Sequence, residues 1–463
     1  MVRHSRRLWI ILVLALGWFP ARLVYAEPPS IPSFRSQDRV LVLAPHEDDE
    51  TLGVGGVLQQ AVSVGAAVRV VYLTYGDHNE LAFLLYRKRP WLSPSINERM
   101  GEIRRREAIK AMAYFGIDAG HLVFLGYPDG GTLDIWKQHW AEAPAFVSRS
   151  THTNRVPYLD AFSYNKSHKA EEIVADLEHQ LLEFRPTHIF VSHPGDGHPD
   201  HRSFYLFLQV ALLNTSNRLP PPQVFAYPIH ISSWPRPYGF HPDYWLSFPK
   251  TLSDDQTSWR VFNLTPEQVH HKYDAIRFYK SQTIDNLFWL STFARRNELF
   301  ITSSPVSLQE EAWSSSNGVM ANPETEAYQK EGPTGHVGSV VYRQSKEGLL
   351  VQVSLRQSIQ REMGLSLYAF GYRHDHPFPM MPKIRLDWTL GQLHVTHQGI
   401  LLPKTMVRVE PTSTIITITI PWDLLGEPDV IFVQAKGAVG GIPVSQTGWR
   451  VFTRKLMESQ PNP

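Results

Sequence analysis

An alternation of short apolar runs with amphipathic stretches, between residues 39 and 231, constrains the fold more than any other feature of this sequence. Patterns of buried strands occur at residues 40–44, 68–73, 122–125 and 188–191. Patterns of helices lie between them, at residues 50–64, 102–115 and 171–184. Strands that alternate with helices are typical of a parallel sheet covered on both faces. The sequence therefore predicts an α/β domain with a Rossmann-like, mostly parallel sheet over residues 38–300.

The pattern changes in the last third of the chain. Strand-like runs with Gly and Pro between them occur at residues 340–342, 349–355, 365–372, 384–388, 414–420 and 430–433. Several short strands with such punctuation favour an all-β, sandwich-like domain, here over residues 335–455. Residues 301–334 are polar with little periodicity, which is typical of a linker.

The first 26 residues have the three parts of an export signal. Three arginines precede an apolar run of 12 residues at 8–19, and Val24-Tyr25-Ala26 fits a signal-peptidase site. The run is shorter than the about 20 residues that cross a bilayer. We expect a secreted, periplasmic or cell-envelope protein without a stable membrane span once residues 1–26 are cleaved. An uncleaved anchor is the alternative.

The composition excludes several classes of function. The chain has 45 Lys and Arg against 44 Asp and Glu, a net charge of +1, so it has no basic excess for nucleic acid. It has no Cys, which excludes a thiolate nucleophile, a cysteine-ligated zinc and an iron–sulfur cluster. Any metal must therefore lie on His, Asp or Glu.

The segment Pro45-His46-Glu47-Asp48-Asp49-Glu50 directly follows the first predicted strand. So many ionisable side chains at a strand end are costly to place unless a cation is bound. His46 and Asp49 are spaced to reach one ion from a single turn, which leaves Asp48 beside the ion. An acidic cap of the following helix is the alternative reading.

A second polar cluster follows the strand at 188–191, and it favours the metal reading. Three His and two Asp lie within residues 193–201. His198 and His201 are three residues apart at a helix start and share a face. Both clusters are expected at one edge of the sheet, where one carboxylate and two imidazoles make a three-ligand zinc site with an open position for water. Zinc lowers the pKa of that water towards about 7, and a nearby carboxylate can take its proton.

Together the two clusters resemble the LmbE-like, or PIG-L-like, zinc-dependent N-acetylglucosamine de-N-acetylases. The family's first motif is Pro-His-Pro-Asp-Asp-Glu, from which this chain departs only at Glu47. The second, His-Pro-Asp-His, is intact at residues 198–201. The resemblance implies that Zn²⁺ is held by His46, Asp49 and His201. It also implies that Asp48 is the general base and that His198 stabilises the oxyanion or acts as an acid.

Further matches extend the resemblance over residues 40–300. Arg104-x-x-Glu107 and the loop at 126–130, which contains Asp129, match family motifs whose Arg and Asp contact sugar hydroxyls. Asp196 stands where some relatives carry a Tyr, so we expect it near the substrate as well. Asp48 and His198 are then the candidates for protonating the leaving amine.

These matches imply a zinc-dependent hydrolase that removes acetyl groups from N-acetylglucosamine-type units of an extracellular or envelope glycan. A metal-dependent amidase or esterase on a non-sugar or small glycoconjugate substrate is one alternative, and a catalytically silent glycan-binding protein is another.

The sequence leaves two structural features open. Residues 134–169 form either an insertion near the site mouth or a plain surface loop. The tryptophans of the β domain, Trp388, Trp422 and Trp449, either bind carbohydrate or lie in the core.

Overall fold

The fold was examined in a computed structural model. It describes residues 29–78, 93–252, 258–302, 305–308, 314–316, 319–321, 337–359, 362–389, 391–440 and 442–454. The predicted export signal at residues 1–26 lies outside these ranges. Within them, the helices are all too short or too polar to cross a bilayer.

A mixed seven-stranded sheet forms the centre of the first region, as the alternating pattern predicts in outline. Its strands are β1 Arg39–Ala44, β2 Ala67–Thr74, β3 Leu122–Tyr127, β4 His188–Ser192, β5 Gln223–Tyr227, β6 Trp259–Asn263 and β7 Asn297–Thr302. Their order across the sheet is β3-β2-β1-β4-β5-β7-β6. The first five are parallel, while β7 pairs antiparallel with both β5 and β6. The carboxyl ends of β1 and β4, which are neighbours, therefore lie side by side.

Seven helices flank this sheet within the described residues. They are α1 Asp49–Ser63, α2 Pro94–Tyr114, α3 Thr132–Gln138, α4 Ala170–Phe184, α5 Pro199–Thr215, α6 Pro266–Ile276 and α7 Lys280–Leu290. α4 packs against α5, and α1 packs against α6. α2 begins eight residues before the predicted start at 102, because Pro94 occupies its first turn, where a missing N–H costs nothing.

The C-terminal region is rich in β-structure. It contains β8 Val306–Ser307, β9 Ser314–Ser316, β10 Val319–Ala321, β11 Val337–Gln344, β12 Gly348–Leu355, β13 Met363–Tyr372, β14 Lys383–Thr389, β15 Gln392–His397, β16 Ile400–Leu402, β17 Arg408–Pro411, β18 Ile415–Pro421, β19 Val430–Val439, β20 Ile442–Thr447 and β21 Arg450–Thr453. These strands form two sheets over one apolar cluster. β8, β9 and β10 lie within the predicted linker and pair with strands of this region.

The two regions share a continuous hydrophobic core across their seam. The Trp136 ring on α3 lies 5.8 Å from Phe370, 5.4 Å from Phe432 and 5.9 Å from Trp449 between ring centroids. All four rings are at most 1% exposed. Since aromatic side chains bury the largest apolar areas, this contact fixes the β-rich region against α3.

The tryptophans of the β-rich region are buried. Trp388, Trp422 and Trp449 retain 9%, 4% and 1% exposure. A sugar ring stacks on an open aromatic face, and these three rings offer none. They are core residues, and Trp449 belongs to the seam.

The segment 134–169 is held by buried polar contacts, both to the end of β2 and within itself. Asp77, which follows β2, accepts hydrogen bonds from Ser150 Oγ at 2.8 Å and from the Tyr158 hydroxyl at 2.5 Å. His168 Nδ1 donates to the Phe146 carbonyl at 3.1 Å. His168 itself is 1% exposed.

We expect His168 to make the folded chain acid-sensitive. Burial lowers the pKa of His168 from 6.5 to about 4. The unfolded chain therefore binds this proton at higher pH than the folded chain. The stability that neutral His168 contributes above pH 6.5 is lost as the pH falls towards 4. At about 1.4 kcal/mol per pKa unit, the loss amounts to about 3 kcal/mol.

Urea unfolding of the native chain and His168→Gln at neutral and acidic pH measures this effect. The variant is expected to lose less free energy of unfolding on acidification than the native chain, by about 3 kcal/mol. His121→Gln removes an exposed His and serves as the control. Equal pH dependence in the native chain and His168→Gln would contradict the assignment.

Candidate metal centre and its pocket

The loop after β1 holds Asp48 in a strained backbone conformation. Its φ is 129°, in the region that favours glycine. Glu50 Oε2 accepts the Asp48 N–H at 3.1 Å, and the Tyr279 hydroxyl donates to Glu50 Oε1. Non-Gly residues at such angles persist where surrounding contacts determine them, and they cluster at functional sites.

The Asp49 carboxylate joins the two sequence clusters. Its Oδ2 lies 3.2 Å from His46 Nδ1 and 3.1 Å from His201 Nε2. Asp49 is 1% exposed and His201 is fully buried. Zinc binds imidazole nitrogen and carboxylate oxygen at about 2.0–2.2 Å, so its tetrahedral ligands lie about 3.3 Å apart. The spacings on either side of Asp49 are therefore compatible with zinc ligands. The residues also fall into three groups whose donor atoms lie within 4.8 Å of one another: His46, His198 and His201; His46, Asp129, His198 and Asp200; and Asp49, His201 and His230.

A carboxylate lies behind each of these imidazoles. His201 Nδ1 is 3.5 Å from Asp196 Oδ2. His46 Nε2 is 3.2 Å from both Asp129 Oδ1 and Asp200 Oδ2. Metal-binding histidines regularly use their second nitrogen on a carboxylate, which fixes the ring and its tautomer. This donor set and its supporting carboxylates fit a zinc ion.

The charges of the ligand set are strongly coupled. Burial lowers the pKa of His46, but Asp129, Asp200 and Asp49 outweigh it and leave that pKa well above its usual value. Burial likewise opposes protonation of His201, yet Asp49 and Asp196 raise its pKa to about 9.

Asp196 does not face the substrate, contrary to the sequence prediction. It is fully buried. Its Oδ1 accepts the His198 N–H at 2.9 Å, and its Oδ2 accepts the N–H groups of Ile229 at 3.0 Å and His230 at 2.9 Å. With both oxygens used by the protein, Asp196 orients His201 and the loop rather than a sugar hydroxyl.

A polar pocket of about 310 Å³ opens over the ligand set. Its lining consists of His46, Asp48, His78, Arg104, Asp129, His198, His230 and Gln282. The volume is at the lower end of the range for small-molecule sites, about 300–1,000 Å³.

The pKa of Asp48 in this pocket is shifted. Burial, followed by the charges of Asp49 and Glu50, raises this pKa to about 8 against the opposing charge of Arg104.

His198 presents one nitrogen to the pocket. It is the N-cap of α5, and its Nδ1 accepts the Asp200 N–H at 3.3 Å. An Nδ1 that accepts leaves the proton of the neutral ring on Nε2. Burial and the nearby His46, His230 and His201 hold the pKa of His198 well below its usual value. A neutral His198 with an Nε2–H is a hydrogen-bond donor, placed 4.6 Å from His46 between ring centroids.

Arg104 lines the pocket, but its guanidinium already binds the protein. Nη2 donates to the Glu47 carbonyl at 2.9 Å and Nη1 to the Gly76 carbonyl at 3.2 Å. Its Nε lies 3.2 Å from Glu47 Oε2. Glu47, the departure from the family motif, thus forms a buried ion pair with Arg104 and ties α2 to the first metal loop.

Glu107, one turn further along α2, anchors the start of α7. Its carboxylate accepts the Ser281 N–H at 3.1 Å and the Ser281 hydroxyl at 2.6 Å. The next residue, Gln282, lines the pocket. The Arg-x-x-Glu motif therefore braces two walls of the site.

Sequence reasoning missed four residues of the site. His78 follows β2, His230 follows β5, and Gln282 lies on α7, while Asp200 was visible only as a member of the second cluster. His78 and His230 were predictable, because polar side chains that follow parallel strands meet at one edge of the sheet. Gln282 has no such signal, because α2 and α7 bring it to the pocket through tertiary contacts.

We expect Asp196→Asn to weaken zinc binding by about 10–100-fold, because the amide no longer holds a charge behind His201 and keeps only one of the two accepting oxygens. Competition with a fluorescent zinc chelator measures the dissociation constant. Asp160→Asn removes a carboxylate whose side chain is 43% exposed and pairs with Arg105 at 2.9 Å, and it is the matched control. Unchanged zinc affinity in Asp196→Asn would contradict this role.

The family comparison identifies the segment that carries both clusters. Residues 41–212 match the family described as "PIG-L: GlcNAc-PI de-N-acetylase". A relative from Mycobacterium sp. (strain KMS), 1D-myo-inositol 2-acetamido-2-deoxy-alpha-D-glucopyranoside deacetylase, is 33% identical over 166 residues, 35% of this chain and 46% of the relative. The protein of that name from Nocardioides sp. (strain ATCC BAA-499 / JS614) is 30% identical over 168 residues, 35% of this chain and 50% of the relative.

The chain thus spans about half the length of the curated relatives it matches. Among solved structures, N,N'-diacetylchitobiose deacetylase from Pyrococcus horikoshii aligns with 57% of this chain and 83% of its own at 19% identity, with a TM-score of 0.37. The family match includes His46, Asp48, Asp49, His198 and His201 within its bounds. Residues 41–212 are therefore a domain of the PIG-L de-N-acetylase family.

Proposed function

We propose that this protein is a zinc-dependent hydrolase that removes acetyl groups from N-acetylglucosamine-type units of an extracellular or envelope glycan. One observation carries the proposal: His46, Asp48 and His198 line one pocket, and Asp49 directly behind it contacts both His46 and His201. The family of residues 41–212 and the names of its relatives support the substrate class.

Asp48 is the general base of the proposed reaction. Its carboxylate takes a proton from the attacking water as the new C–O bond forms. As the C–N bond breaks, the same carboxyl returns the proton to the leaving nitrogen, so that acetate and a free amine are released. Because Asp48 lines the pocket, one carboxyl group can both take and return the proton.

His198 stabilises the developing charge. Its Nδ1 is occupied by the Asp200 N–H, so its Nε2–H is the atom available to an oxyanion in the pocket. Such a donor contributes about 3–4 kcal/mol to the transition state. This arrangement assigns the protonation of the amine to Asp48 rather than to His198.

Zinc, when bound to His46, Asp49 and His201, supplies a Lewis acid that activates water near pH 7 and polarises an amide carbonyl. The remaining lining residues hold the substrate. Asp129, 8% exposed at its side chain, reaches the pocket while accepting the His78 N–H at 2.9 Å. Because the guanidinium of Arg104 is bound to Glu47 and Gly76, its main proposed role is to shape the pocket.

A second candidate substrate is a small N-acetylglucosaminyl conjugate. The pocket volume of about 310 Å³ favours it, and the relatives are named for an acetamido-glucosyl inositol. The two candidate substrates undergo the same reaction and differ in the group attached to the acetamido sugar.

We further propose that the chain is exported through residues 1–26. Mass determination of the mature N-terminus would test this.

We expect acetate release from N-acetylglucosamine oligomers and from a small N-acetylglucosaminyl conjugate to be abolished by a chelator and restored by zinc. The ratio of kcat/KM between the two substrates decides between polymer and conjugate. An amide without a sugar serves as the control substrate. No chelator-sensitive acetate release from either acetamido sugar, by protein shown to bind zinc, would overturn the proposed function.

We expect Asp48→Asn to lower kcat by about 10²–10⁴-fold, because an amide cannot take the proton of water. Zinc affinity should change little, since Asp48 is not a proposed ligand. Steady-state kinetics and zinc titration of the same preparation measure both quantities, with Asp160→Asn as the control. Activity near the native level in a zinc-loaded Asp48→Asn protein would remove Asp48 from its role.

A further inference from the structure

Phe288 on α7 is the most exposed aromatic residue in the part of the chain that the structure describes. It retains 68% of its accessible surface. Single apolar side chains are common on protein surfaces and by themselves mark nothing. The surroundings of Phe288 therefore decide whether it has a role.

The residue next to Phe288 supports the wall of the hydrolytic pocket. The Trp289 ring stacks on the ring of His230, with the centroids 5.4 Å apart and the planes at 16°. His230 lines the pocket. The Trp289 ring also meets Phe293 edge to face, at 5.1 Å between centroids. Trp289 is thus engaged within the protein, and Phe288, one residue away, lies in solvent beside the pocket wall.

Phe288 is held by the edge of its ring. A Cβ on Gly239 would lie 2.8 Å from Phe288 Cε2, so only glycine allows this approach, and the φ of Gly239 is 99°. The Tyr238 ring lies 6.4 Å from Phe288 between centroids, at an interplanar angle of 83°. Arg236 Cζ lies 3.9 Å from the Tyr238 centroid, which is a cation–π contact. Because Gly239 meets only the edge of the Phe288 ring, a face of that ring stays open.

Polar contacts fix the loop that carries Gly239. Its N–H donates to Thr292 Oγ1 at 2.9 Å, and that hydroxyl donates to the Phe288 carbonyl at 3.1 Å. Arg295, 1% exposed, donates to the carbonyls of Pro237 at 2.5 Å and Thr292 at 2.8 Å. Both sides of the aromatic contact are therefore positioned before a ligand binds, which lowers the entropic cost of binding.

An open aromatic face beside a pocket for an acetamido sugar suits a second sugar unit. The C–H groups on one face of a pyranose pack against the negative face of an aromatic ring, while the hydroxyl groups remain in water. The pocket holds about 310 Å³, which is at the lower end of the range for small-molecule sites. Units beyond the first must therefore lie at its rim.

We infer that Phe288, with Tyr238 at its edge, is a stacking subsite for a neighbouring sugar unit of an oligomeric or polymeric N-acetylglucosamine substrate. The inference rests on the proposed function and extends it, since it favours a glycan chain over a small conjugate. Phe288 then determines specificity, because it binds a unit that is not hydrolysed and leaves the proposed zinc ligands unchanged.

Deacetylation of the N-acetylglucosamine tetramer and of N-acetylglucosamine itself, by the zinc-loaded full chain, tests the inference. For Phe288→Ala we expect KM for the tetramer to rise about tenfold at unchanged kcat, because stacking binds substrate and transition state equally. The kinetics on the monosaccharide should not change. Phe288→Trp keeps an aromatic face and should restore KM for the tetramer. Tyr164→Ala removes a 49% exposed aromatic residue of the segment 134–169 and should behave like the native chain.

Binding without turnover separates the subsite from the proposed function. Calorimetric titration with the tetramer should show about tenfold weaker binding to zinc-loaded Asp48→Asn/Phe288→Ala than to Asp48→Asn. That difference, with no acetate released by the native chain from any acetamido sugar, would overturn the proposed function and leave a glycan-binding subsite. Equal affinities, or no binding of the tetramer, would overturn the subsite even where the monosaccharide is deacetylated.

A second copy of the chain is the other occupant that an exposed ring could have. We expect native chain and Phe288→Ala to sediment alike, because the inference assigns the ring to a glycan. Self-association that Phe288→Ala abolishes, with an unchanged affinity for the tetramer, would place the ring in an interface between copies and overturn the inference.

Discussion

The site depends on one buried carboxylate, Asp49, which lies between the imidazoles of His46 and His201. Three ionisable groups taken out of water are costly unless each finds an opposite charge with good geometry. A single oxygen 3.2 Å from one ring and 3.1 Å from the other meets that condition only if both loops are held in place. The parallel sheet supplies the first part of this placement, since β1 and β4 are adjacent and end at the same edge.

The rest of the placement comes from buried polar contacts that tie remote segments to the two loops. Glu50 fixes the Asp48 backbone and is itself held by Tyr279. Lys272 Nζ lies 2.6 Å from Glu298 Oε1, and Glu298 accepts the N–H groups of Gly56 at 2.7 Å and Val57 at 3.1 Å. Networks of this kind stabilise a unique arrangement when every member is satisfied. They bring residues 272–298, at the end of the α/β region, into the support of a site whose proposed ligands lie elsewhere in the chain.

The sequence predicts the parts of this molecule that follow from local rules. The sequence predicts the first four strands, α1 and α4 within a few residues, because a buried parallel strand has a simple apolar pattern, but it misses the first eight residues of α2 and all of α3. Asp49 and His201 were foreseeable because ligand types cluster after strands. The burial of Asp196 and the ion pair of Arg104 with Glu47 were not, because each depends on segments far apart in the chain. The antiparallel pairing of β7 with β5 and β6 likewise depends on tertiary contacts and was not foreseeable from local pattern.

The β-rich region shows why a domain cannot be judged from its aromatic content. Trp449, a candidate for stacking on sugar, is buried in the seam, and its backbone N–H donates to the Pro194 carbonyl at 3.3 Å. A Cβ on Gly448 would lie 3.1 Å from Gly195 Cα, so the two backbones are in close contact. Pro194 and Gly195 belong to the loop that leads into α5 and to His201. The β-rich region therefore packs on the loop between β4 and α5, and a change in that contact would reach His201, a proposed zinc ligand, through a few residues of backbone.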